Sequence, residues 1–307
     1  MQPLDYLTTP VGLFWIIFCV PAGILLTALG YFIINRVPAK WLCDYNETPS
    51  EELLSGKRVS FLPAGIPASL VMVLSLVMCR LQFNKGYDIY FCLLSLILFD
   101  CLLIAIADIK YQIIPDQFTI AFGVLALIIS VYDLVRGYNI FHFAWWSPLA
   151  GAGIGAAAMM LIDFIGMIVY KRDGMGFGDV KLFLAVGILT GFPGTIYTFL
   201  ISIVVATVFF VTIIIISKIK YSGADGEEQT SQPVKAEDEA LASETAQPQE
   251  TGEEAPAEDE QANDDDESVG FGSYLAFGPY IVASAAAYVV LFDFIGYLAQ
   301  LYLNLFL

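Results

Sequence analysis

The chain has 307 residues, 58% of them hydrophobic, with a mean hydropathy of +0.71. That composition excludes a water-soluble domain, because the apolar residues come in runs of about 20, the length needed to cross a bilayer. The net charge of −17 is not spread over the surface: 17 acidic residues and one basic residue, Lys235, lie between Asp225 and Glu267, so this segment alone carries −16. With the rest of the chain near neutral, no nucleic-acid partner is expected.

Taken in order, the first apolar run is about 11–34, followed by a polar stretch, 39–60, carrying Lys40, Lys57 and Arg58. The second is about 61–81 and the third about 89–107, ending at Asp108. A short connection reaches Pro115 and Asp116, which open the fourth run, ending near Leu134. A loop with Arg136, His142 and the paired Trp145 and Trp146 follows, and paired tryptophans suit a membrane interface. The fifth run is about 148–170. Next come a polar loop, 171–181, a short sixth run, 180–192, a turn at Gly191-Phe192-Pro193-Gly194, and a seventh run, about 195–217. The acidic segment precedes the eighth run, 274 to about 298. Residues 222–268 hold too little apolar surface to fold alone and are expected to be a disordered, solvated tether.

The fold class expected is therefore all-α: a polytopic membrane protein of about eight transmembrane helices with a disordered acidic cytoplasmic insertion. Its parts are an N-terminal pair (1–81), a central group of helices (82–217), the insertion (218–272) and a last helix (273–307). Alternating sides places loops 36–60, 108–116, 171–181 and 218–272 on one face. That face holds eleven Lys and Arg residues and the other three, Arg80, Lys85 and Arg136. The richer face is read as cytoplasmic. The first run lacks a preceding basic region and is read as a retained helix. The five cysteines, Cys19, Cys43, Cys79, Cys92 and Cys101, form no CxxC pair, and His142 is the single histidine. A zinc site, a disulfide framework and a Ser/His triad are not expected.

The chemistry is expected from carboxylates. Asp108 ends a span, where the helix dipole disfavours a negative charge, and ionisable groups at membrane depth usually have a role. Asp116, after Pro115, reads as a helix cap. Asp179 opens a helix from the same side, behind Gly174, Gly176 and Gly178, glycines that permit φ > 0 and close approach of another chain. Two facing carboxylates share a proton, so one acts as base and the other as acid, the arrangement of aspartic proteolysis. Taken residue by residue, capping or interfacial roles remain open for each.

The segments Asp108-Ile109-Lys110-Tyr111-Gln112-Ile113-Ile114-Pro115-Asp116 and Gly174-Met175-Gly176-Phe177-Gly178-Asp179-Val180-Lys181 resemble the two signatures of the type IV prepilin peptidases, which belong to the GxGD membrane aspartic proteases. Ala276-Phe277-Gly278-Pro279-Tyr280 is similar to the family's FGP motif. Gly30 to Pro38 is similar to the end of its first span. The resemblance implies cleavage of a short basic leader from prepilins and pseudopilins at the cytoplasmic face of a bacterial membrane. It implies Asp108 and Asp179 as the catalytic pair, Gly176 and Gly178 as loop-shaping residues, and no cofactor. Lys181 is either a cation steadying a carboxylate or an ordinary interfacial lysine. Many family members carry paired cysteines with a metal in the first cytoplasmic loop and also methylate the pilin; this chain has only Cys43 there. A different class, a proton-coupled transporter, would use the intramembrane Asp100 and Asp163. Structural hydrogen bonding between spans is the favoured reading of those two.

Overall fold

The protein is described by a computed structural model over residues 9–43, 48–49, 51–54, 58–83, 87–138, 140–170, 176–224 and 277–306. Gly174 and nearly all of the acidic insertion lie outside those residues. Two units are distinguished, 1–210 with 275–307, and 211–274. The second contributes, among described residues, the end of one helix.

The described residues are helical, without strands. The long helices are α1 (Pro10–Arg36), α2 (Gly65–Gln82), α3 (Asp88–Tyr111), α4 (Asp116–Arg136), α5 (Ser147–Tyr170), α6 (Phe177–Ala224) and α7 (Gly278–Phe306). Six of them are long and apolar enough to cross a membrane, and the Gly278–Phe292 part of α7 is a shorter apolar helix. Each begins or ends where local chemistry dictates. The Thr9 hydroxyl accepts from the Gly12 N–H at 3.1 Å and Pro10 opens α1, a standard start. Gly137 closes α4 in the left-handed conformation at φ 64°. Gln112 closes α3 in the same conformation at φ 55°, an uncommon backbone for a residue with a side chain. Helix α6 runs to Ala224, beyond the boundary expected at 218. Lysine is a good helix former, so Lys218 and Lys220 do not stop it.

The expected sixth and seventh runs need a closer look, because helical bonding is nearly continuous through α6. At Gly191 the backbone takes φ 68°, ψ −177°, a conformation essentially restricted to glycine. In a straight helix Phe183 and Phe199 would stand ~24 Å apart. Their ring centroids are 5.8 Å apart. The chain therefore reverses at Gly191, and residues 192 onward run back along 177–190, as the Gly-Phe-Pro-Gly turn predicted.

Close crossings hold this hairpin to α5. A Cβ at Gly151 would strike the Gly187 carbonyl, and a Cβ at Gly187 would strike the Gly151 backbone. Gly155 sits equally tightly against Phe183 and Thr195. Small residues permit such approach where lipid provides no hydrophobic drive between helices. The α1–α2 crossing is built the same way, with Gly23 against the backbone of Val73. At the end of the bundle away from Asp108, buried Arg80 pairs with Asp88 at 2.8 Å and lies 4.4 Å over the Trp15 ring, joining α1, α2 and α3. At the other end, Asn35 accepts from the N–H groups of Arg58 and Val59 and donates to the Val59 carbonyl. Arg58, counted above as a loop cation, turns inward and donates to the carbonyls of Leu53 and Val37. Gly187→Ala would force α5 and α6 apart; we expect a loss of roughly 1–3 kcal/mol, read as a lowered midpoint in denaturant titration of the lipid-reconstituted protein.

Candidate active site

Asp108 lies in the last turn of α3, 3% exposed, and its backbone carbonyl accepts from Gln112 N–H at 2.8 Å to close the helix. Asp179 lies in the first turn of α6, 8% exposed, with its own N–H bonded to the Gly176 carbonyl at 3.0 Å. Both carboxylates are thus at one end of the bundle, with the Ile114 side chain packed against the glycines beside them, Gly178 and Gly278. Each keeps one oxygen without a hydrogen-bond partner among the described residues, Oδ2 of Asp108 and Oδ1 of Asp179. Buried polar atoms are nearly always paired.

Three residues shape the space between them. Gly278, the first residue of α7, brings its backbone N–H toward the Asp108 carboxylate, and a Cβ there would collide with Asp108 Oδ2. Ile114 stands between the two glycines: a Cβ at Gly178 would meet its side chain at 3.3 Å, and one at Gly278 would meet it at 2.9 Å. Gly278 and Ile114 were not singled out among the site residues from sequence. The FGP resemblance was the signal for Gly278. Ile114 gave none, since an isoleucine beside a membrane helix is ordinary.

The glycines before Asp179 behave differently from expectation. Gly176 and Gly178 do not take positive φ; among described glycines only Gly137 and Gly191 do. Gly176 faces open space and Gly178 is already helical. The value of these glycines is their lack of a side chain, leaving an open approach at 176 and a tight one against Ile114 at 178.

Asp116 and Lys181 also come together. Lys181 Nζ donates to both Asp116 carboxylate oxygens, at 2.9 and 3.0 Å, and lies 5.1 Å from the Phe177 ring centroid. The carboxylate that Lys181 meets is Asp116. Asp179 and Lys181 are two residues apart on one helix and so point to nearly opposite sides. Pro115 takes the cap position of α4, and Asp116 stands one residue inside, where the dipole still favours its charge. Below this ion pair an apolar groove of about 380 Å³ runs between α4 and the first arm of α6, lined by Thr119, Ile120, Gly123, Leu184, Ala185 and Ile188.

The two remaining intramembrane acids are apart in character. Asp100 is buried in α3, yet its Oδ2 has no partner among described residues, so the inter-span hydrogen bond expected of it is not met at that oxygen. Asp163 is only half-buried in α5. Among the described residues no group of three or more His, Cys, Asp or Glu could hold a metal ion.

Residues 92–211 match the type IV leader peptidase family, a stretch that contains both carboxylates. The chain is also similar to curated proteins named prepilin leader peptidase/N-methyltransferase. One, from Xanthomonas campestris pv. campestris, is 28% identical over 51% of this chain and 53% of the relative. One from Bacillus subtilis is 26% identical over 50% and 56%, and one from Stutzerimonas stutzeri is 29% identical over 35% of each. The matches span at most about half the length of these relatives. No solved structure matches the chain significantly.

The Lys181–Asp116 pair is about one-third exposed on each side, so its worth is modest. A double-mutant cycle with Lys181→Met and Asp116→Asn should give a coupling of about 0.5–1 kcal/mol. A value above about 3 kcal/mol would mean that the pair behaves as a buried bridge.

Proposed function

We propose that this chain, whose residues 92–211 fall in the type IV leader peptidase family, is a membrane aspartic endopeptidase. It removes the basic leader from type IV prepilins and pseudopilins at the cytoplasmic face, with Asp108 and Asp179 as its catalytic pair. The observation that carries this reading is the pair of buried carboxylates at the end of α3 and the start of α6, each with a buried oxygen that meets no donor among the described residues, and with Ile114 packed against the glycines beside both.

In this mechanism one ionised carboxylate takes a proton from a water held between the two. The other, protonated, donates to the carbonyl oxygen of the scissile peptide bond. The water oxygen attacks the carbonyl carbon as its proton leaves, and the tetrahedral intermediate collapses when the leaving amine takes a proton from the first carboxyl and a hydroxyl of the intermediate returns one to the second, so the pair ends with the single proton it began with. Like charges at short range cannot both ionise easily, which keeps one proton on the pair. The dry surroundings strengthen each of these interactions. Gly176, with nothing packed against it, leaves room for an extended substrate backbone beside Asp179. The Gly278 N–H holds the Asp108 carboxylate in place. The groove under Lys181 and Asp116 is suited to an apolar side chain of the substrate segment that follows the cut.

The curated relatives' printed name includes an N-methyltransferase. For this chain we favour proteolysis alone: Cys43 is the only cysteine in the first polar loop, and one thiolate cannot build a metal site of the tetrahedral kind. The acidic insertion is proposed to concentrate basic leaders by charge and to take no part in the chemistry.

Asp108→Asn and Asp179→Asn should each reduce leader cleavage at least about 10³-fold while the protein still inserts in membranes. Processing of a co-expressed prepilin by either variant would remove the assignment. Gly278→Ala should lower cleavage on the order of a hundredfold by displacing the Asp108 carboxylate. Intact-mass analysis of the mature pilin should show the leader gone and no added methyl group. Deletion of 225–267 should leave the turnover rate within about twofold and raise KM for basic leaders, an effect that salt should abolish.

A further inference from the structure

The reversal at Gly191 leaves two backbone groups that a continuous helix would have joined, the Ile188 carbonyl and the Phe192 N–H. Both are satisfied from the α4–α5 connection and its flanks. Phe192 N–H donates to Ser147 Oγ at 3.1 Å. The Ile188 carbonyl receives His142 Nε2 at 2.9 Å and lies 2.9 Å from Ser130 Oγ. On its other side His142 Nδ1 is 3.2 Å from Asp133 Oδ2. That carboxylate also accepts from the N–H groups of Ile140, Phe141 and His142. Asp133, His142 and Ser147 are fully buried and Ser130 is 1% exposed.

Partner chemistry assigns the protons. A peptide carbonyl has none to give, so Nε2 must be the donor toward Ile188. A carboxylate that accepts three backbone N–H groups is the ionised form, so Nδ1 must be the donor toward Asp133. Both ring nitrogens then carry hydrogen. The Ser130 hydroxyl fits the same assignment, since it donates to the Ala126 carbonyl at 2.8 Å and can accept from Nε2 at 3.2 Å. The other titratable groups near this loop are the phenols of Tyr90, Tyr132, Tyr138 and Tyr288 and the Arg136 guanidinium, which lies over the Tyr132 and Tyr138 rings.

We propose that His142 is a positioning residue: a buried imidazolium, pinned to Asp133, that replaces the helical hydrogen bond broken at Gly191 and thereby fixes the direction of the helix arm that carries Asp179. Asp179 and Ile188 are nine residues apart on this arm, 177–190, so ~14 Å of helix separates the carboxylate from the clamp. A tilt of a few degrees at Ile188 moves Asp179 by about an ångström, and displacements of that size cost on the order of a hundredfold in rate. The clamp is out of reach of any substrate at the dyad, so it acts on turnover and not on capture. The turnover part of this inference rests on the peptidase reading; the protonation state does not.

Because the chain holds one histidine, the test is unambiguous. The full-length protein, carrying an affinity tag free of histidine, is labelled with ¹⁵N-histidine and placed in lipid nanodiscs. Both ring nitrogens should give protonated-type resonances at the pH of the activity assay. A neutral tautomer there overturns the proposal whatever the activity. His142→Gln keeps a donor toward Ile188 but no charge. Against a synthetic prepilin-type peptide its kcat should fall on the order of tenfold to a hundredfold with KM within about twofold, and unchanged kcat overturns the positioning role. Spin labels at Ile109→Cys and Phe177→Cys, both exposed at the site end, on a background lacking the native cysteines, give a readout independent of catalysis. Their distance distribution should broaden in His142→Gln, and an unchanged distribution likewise overturns the clamp. A wild-type protein that leaves the peptide uncut sinks the peptidase reading alone, because the resonance and distance measurements still judge the clamp.

Discussion

Burying a carboxylate without a full set of hydrogen bonds is among the most costly things a membrane protein can do, and this fold does it twice at one place. Asp108 and Asp179 are held nearly out of solvent with one oxygen each left unpaired. Neither position is stabilising by itself. Asp108 sits at the negative end of α3, with Gly278, the first residue of α7, close against its carboxylate. The remaining cost is met elsewhere, by the close glycine crossings and the apolar stripe of α3, where Leu94, Ile97 and Ile104 are completely buried. The bundle is therefore best understood as a frame rigid enough to hold two groups that would otherwise move apart or into water.

Frame and site are linked through α6. Its first arm carries Asp179 at one end and stops at Gly191 at the other, where the chain doubles back. A reversal inside a membrane is tolerated only when the freed backbone groups find partners. Here Ser147 and His142 supply them, drawn from the loop between α4 and α5. The same loop is pinned by the Asp133 carboxylate, so one buried anion organises three backbone amides and a ring. The polar interior thus has two parts at opposite ends of the arm. One is unsatisfied and suited to chemistry, the other saturated and suited to rigidity. Both are built from aspartates, and what separates their roles is the number of donors each one meets.

Much of this was written in the sequence. Runs of apolar residues located the helices, most of their ends to within a few residues, because about 20 residues of 1.5 Å rise is what a bilayer demands. Gly191-Phe192-Pro193-Gly194 marked the reversal. Asp108 and Asp179 stood out as carboxylates at span ends. Asp116 and Lys181 were visible as charged residues, but their pairing was not. Two helices must pack in a particular rotation before residues 65 positions apart can meet, and no local rule sets that rotation.

Sequence alone therefore determined where the chain is apolar, where helices start and stop, and which carboxylates lie at one end. Those properties depend on neighbours along the chain. Only the tertiary structure decided which groups each carboxylate meets. It set Gly278 against Asp108, Ile114 between two glycines, Lys181 on Asp116 and His142 on a carbonyl 46 residues away. The reason is physical: hydrogen bonds and close packing are satisfied in space. A histidine that looked like a loop residue became a fully buried hydrogen-bonding residue because the partner it needed was created by a turn elsewhere in the chain.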